Sequence, residues 1–146
     1  MIQGSDIDWT SLRRKAAAPC VAVAYALAAL SLGRALGVWP AVDWSGRALS
    51  VFAAGFWLVA VVIVRRRGAT EAMTWKIAAW SACAVSVFAM VGHMMSPLPV
   101  EQALMGGLSA VFAVTCLFVA FFPDAKDMAG NPRLTLPESD YAGGKG

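Results

Sequence analysis

Charge is what this sequence has least of. Only 14% of its 146 residues are Asp, Glu, Lys or Arg, against roughly a quarter in soluble domains, while 59% are hydrophobic. It holds one histidine, His93, and no Ser-His-Asp arrangement, paired carboxylates, P-loop or HExxH. The three cysteines, Cys20, Cys83 and Cys116, form no CxxC, so neither a disulfide framework nor a thiolate zinc site is signalled. No Asp, Glu, Lys or Arg falls mid-way along an apolar run, which argues against a proton- or sodium-coupled transporter. The expectation is a non-enzyme with no catalytic residue and no cofactor.

What is present comes in blocks. Apolar runs cover about 16–33, 48–64, 77–95 and 103–122, and roughly 20 apolar residues are needed to cross about 30 Å of hydrocarbon. The first run follows Arg13-Arg14-Lys15 and is too long for the 7–15-residue core of a cleavable signal. Breaks coincide with Arg34, the Arg65-Arg66-Arg67 triplet, Pro97 and Pro99, and Pro123-Asp124. Inside lipid every backbone group must be satisfied within the chain, so the runs are predicted as helices. The expected fold is an all-α membrane protein, a four-transmembrane-helix antiparallel bundle. It divides into an amino-terminal segment 1–15, a membrane domain 16–122 and a short tail 123–146. Two prolines and a Gly-rich end predict a flexible tail.

Orientation follows from cations near the span ends. Arg13, Arg14, Lys15, Arg65, Arg66, Arg67 and Lys76 lie on one side, and Arg34 and Arg47 on the other, which places both termini in the cytoplasm of a bacterial inner membrane. Because the basic residues cluster at span ends, the net charge of +3 points to the lipid bilayer as partner and away from nucleic acid. Trp39 and Trp44 suit the outer interface, Trp75 and Trp80 the inner one. Trp57 is mid-span, and its indole calls for a place in a protein interface. No internal repeat points to a duplicated transporter.

Three patterns bear on function. Met90, His93 and Met94 share one helical face, with Met105 at a similar outer depth, and thioether and imidazole ligands together suit a soft metal ion. Against this, methionine fills gaps and a lone histidine commonly bonds a carbonyl. The cysteines share a depth about 6–10 Å from the cytoplasmic boundary at 1.5 Å per residue, where reduced thiols serve as small packing residues. Small residues are phased as Gly33 and Gly37, as Ala78, Ala82 and Ser86, and as Ala103 and Gly107, which lets helices approach within a bundle, a self-associated form or a partner subunit. Arg34 and Glu101 lie on the same outer side and suit a structural ion pair.

These features predict a non-catalytic membrane subunit that anchors or stabilises a larger inner-membrane assembly. A small oligomeric transporter or channel, taking a metal ion at the outer Met/His cluster, is the competing expectation. A haem-bearing electron carrier is the third.

Overall fold

A computed structural model describes residues 8–39 and 42–124 of the chain. The described residues are helical throughout, joined by short turns. Helix α1 spans Trp9–Ala35, α2 Trp44–Ala69, α3 Met73–Met94 and α4 Pro99–Phe121, all four long and apolar enough to cross a membrane. The chain is an integral membrane protein. The tail expected to be flexible, from 125 onward, and the first seven residues lie outside the described residues.

Each helix is longer at its start than the apolar runs, by four residues or more, and α2 continues through the arginine triplet instead of stopping at Val64. Hydropathy marks only what lipid requires, whereas backbone hydrogen bonding carries the helix into the headgroup zone until a cap ends it. Asp8 accepts from the Ser11 amide at 3.0 Å, and Asp43 from the Gly46 amide at 2.8 Å and the Ser45 hydroxyl at 2.8 Å. The Ser45 hydroxyl, then the Gly46 amide, hold the Asp43 carboxyl below the usual range.

At the far end of α1, Gly37 has a φ of 77°, and the Val38 and Gly37 amides return to the Gly33 and Arg34 carbonyls at 3.0 and 3.2 Å. This is a Schellman cap. Within the bundle, Gly37 therefore ends a helix, and no atom lies within 4 Å of a Cβ built on Gly33.

The core is a ladder of small residues around a few large ones. Ala17, Cys20, Ala24 and Leu27 of α1 meet Trp57, Ala60, Val61 and Val64 of α2, Ala82 and Cys83 of α3, and Phe112, Cys116 and Val119 of α4. Trp57 is buried and meets Phe56 and Phe112 edge-on, with ring centroids 4.8 and 5.2 Å apart. The mid-span tryptophan thus fills the interior. Of the small residues on α3, Ala82 and Ser86 are buried and Ala78 is half-buried.

The small pair on α4 is displaced. Ala103 is exposed and a Cβ on Gly107 would meet nothing within 4 Å, whereas one on Gly106 would lie 3.1 Å from Met94 Sδ. A π-turn over Gln102–Gly106 is the cause, since its wider turn adds a residue and moves the contact face one position along the chain.

In lipid no hydrophobic force draws helices together, so close packing and polar contacts must hold them. One carboxylate, Asp124, gathers all four at one end. Its Oδ1 accepts from Arg67 Nη1 at 2.8 Å and Arg13 Nη1 at 3.3 Å, and its Oδ2 lies 3.5 Å from Lys76 Nζ. Arg67 Nη2 also donates to the Phe122 carbonyl at 2.9 Å, closing the end of α4, and Glu71 lies 3.6 Å from Arg13. Arg13 and Arg67 are 1% and 0% exposed, so these two cations are interior groups and not snorkelling ones. Burial pushes the Asp124 carboxyl up, but the hydrogen bond and charge of Arg67, with Lys76, outweigh it and hold the group below the usual carboxylate range.

Asp124→Asn leaves the buried Arg67 guanidinium without its counter-charge and Arg13 with Glu71 alone, and is expected to destabilise the folded protein by about 3–5 kcal/mol in denaturant titrations followed by circular dichroism. A carboxyl whose folded pKa is lowered contributes stability above its unfolded value and loses it as pH falls through the folded value. Wild type should therefore lose stability in acid below about pH 4, and the Asn variant should lack that component of the acid transition.

Candidate functional site

At the end of the bundle opposite Asp124, Glu101 occupies the first turn of α4, after the Ser96-Pro97-Leu98-Pro99 turn. Pro99 is tolerated there because its missing N–H has no partner to lose at the start of a helix. Glu101 is 3% exposed. Its Oε1 is in hydrogen-bonding contact with Arg34 Nη1 from α1 and lies 3.1 Å from His93 Nδ1 from α3, and its Oε2 accepts from the Ser96 hydroxyl at 2.8 Å. Gln102 Nε2 donates to the Ser96 carbonyl at 2.7 Å, which fixes the turn. A carboxylate accepts only, so the His93 Nδ1 facing it is the donor in this contact.

Behind this cluster lies a cleft of about 450 Å³. Helix α1 contributes Ser31 and Arg34, α2 contributes Leu49, Ser50 and Ala53, α3 contributes Ala89, Gly92 and His93, and Glu101 and Met105 come from α4. Two of its buried polar atoms, Ser31 Oγ and Arg34 Nε, have no hydrogen-bond partner among the described residues. The Ser50 hydroxyl turns back to the Gly46 carbonyl at 2.7 Å.

Of the four outer soft ligands named from the sequence, His93 and Met105 line this cleft. Met105 is buried there, Met94 is exposed and lies along Gly106, and Met90 is half-buried away from the lining. Among the described residues no three of His, Cys, Asp and Glu are placed to hold a metal ion. The cysteines do come together in one core cluster: Cys83 and Cys116 donate to the Ala113 and Ala79 carbonyls across the α3–α4 contact, each at 3.5 Å, and Cys20 of α1 belongs to the same cluster. All three are buried and free.

Spacing alone did not single out Ser31 or Ser96. The available signal for Ser31 is its phase, three residues past Ala28 and four past Leu27 on the buried face of α1.

Glu101→Gln preserves shape but removes the charge that Arg34 and His93 face. It should cost about 3 kcal/mol of folding stability. A cycle with His93→Ala should return a coupling of about 1 kcal/mol between the two side chains, measured by denaturant unfolding in detergent.

Comparison of the chain with protein-family models, with curated proteins and with solved structures yields no match, so its function rests on the geometry of the bundle and this cleft.

Proposed function

We propose that the chain is a non-catalytic membrane subunit, an antiparallel four-helix bundle with both termini in the cytoplasm of a bacterial inner membrane, which anchors or stabilises a larger assembly. The observation that carries this reading is the use made of buried charge. Asp124 and Glu101 are each spent on cations from other helices, so they fix the helix ends to one another. A bundle tied at both ends is a rigid body, and its apolar flanks expose Trp44 and Phe52 of α2, Phe88 of α3 and Phe118 of α4. Such a flank suits lipid and equally a second membrane protein. The orientation rests on the cation asymmetry, seven residues against two, across the span ends.

The competing reading, a small oligomeric transporter or channel with a metal site at His93, Met90, Met94 and Met105, has one observation in its favour. A carboxylate on Nδ1 is the usual support of a metal-binding imidazole, and here Glu101 supplies it.

Mild-detergent extraction of the tagged chain from its native membrane, with sizing and mass spectrometry, is expected to yield a particle of fixed stoichiometry with another membrane protein. A monodisperse monomer or homodimer without a partner overturns the proposal. Copper or another soft metal bound by the purified protein and lost in His93→Ala would favour the competing reading.

A further inference from the structure

We propose that the cleft between Arg34, Ser31 and His93 is a binding site for a neutral, bilayer-dissolved carbonyl compound of the quinone class. The proposal does not depend on the subunit reading, since it concerns what the chain binds and not what it assembles with.

The ligand's chemistry follows from the lining. Arg34 and Glu101 neutralise each other, so a charged occupant would enter a low-dielectric space with no counter-charge, and that space selects a neutral molecule. Ser31 is 0% exposed, yet among the described residues its hydroxyl has no partner, and neither has Arg34 Nε. Buried polar groups are ordinarily satisfied, and leaving one unpaired costs free energy. Both groups are donors, and one carbonyl oxygen accepts two hydrogen bonds. Of the remaining wall, Leu49, Ala53, Ala89, Gly92, Pro97 and Met105 are apolar and suit a ring, and the Ser50 and Ser96 hydroxyls already donate to the Gly46 carbonyl and to Glu101. At about 450 Å³ the space exceeds what one ion or one water fills, and falls within the range of small-molecule sites.

The source follows from the rim. Leu49 on α2 and Gly92 on α3 are both exposed, and a Cβ added at Gly92 would meet no atom within 4 Å. Helices α2 and α3 also touch far less than α1 and α2 do. The opening is therefore apolar, and it suits a molecule arriving from the lipid rather than from water.

Two variants make the test. Gly92→Leu places a side chain into open space at the mouth and should leave the fold intact. Ser31→Ala removes the unpaired hydroxyl, and should leave the unliganded protein as stable as wild type or more so. Wild type, Gly92→Leu and Ser31→Ala would be held in lipid nanodiscs and titrated with a benzoquinone carrying one isoprene unit, with thermal unfolding followed by circular dichroism. The expected result is a saturable rise in the wild-type Tm, no rise for Gly92→Leu, and a midpoint about fivefold higher in quinone for Ser31→Ala, the loss of one hydrogen bond. An absent rise in wild type, or an equal rise in Gly92→Leu, overturns the proposal by showing partition into the bilayer alone. Phospholipid retained by wild type and lost from Gly92→Leu overturns the quinone class, because a lipid ester would then hold the cleft.

Discussion

The carboxylate of Asp124 sets the terms on which the rest of this structure stands. Packing around it are Arg13 and Arg67, fully inside the protein, and neither can stay there charged without a counter-ion. Because the start of α1, the end of α2 and the start of α3 all supply its partners, those ends cannot slide past one another without separating charges. Registry along the whole core, from Ala17 to Val119, is thereby fixed from one end. Contacts between alanines and cysteines would by themselves tolerate a shift of a helical turn far more readily.

The opposite end solves the same problem with different residues and leaves something over. Asp124 draws cations from three helices onto one carboxylate, whereas Glu101 holds Arg34 and His93 beside a cleft that all four helices line and that contains the unpaired Ser31 hydroxyl. The two anions therefore act differently: Asp124, 14% exposed, joins helix ends, and Glu101, 3% exposed, also stands at the edge of a cleft. That difference separates the features that hold the molecule together from those available to a ligand.

The four spans were legible because hydrocarbon thickness imposes long apolar runs, and the Arg34–Glu101 pair because both lie at the outer ends of their runs. Helix ends were not, since Asp8 and Asp43 act by hydrogen bonds that hydropathy does not register. The burial of Arg13 and Arg67 escaped a reading that treats all flanking cations alike. Yet Arg13 is in phase with Ala17 and Cys20, and Arg67 with Val64 and Ala60, while Arg14 and Arg66 face outward. Helical phase carried that signal; the sum of charges did not. The π-turn at Gln102–Gly106 had no such signal, because it breaks the period on which any phase argument relies, and it moved the expected contact from Gly107 to Gly106.

The three cysteines share the core as free thiols, and Cys20 and Cys116 are 0% exposed there. A thiol in that position reacts only when neighbouring helices part. The protein therefore carries its own clock: the rate at which a membrane-permeant alkylating agent consumes Cys20 and Cys116 reports how often the bundle breathes, without any label being introduced.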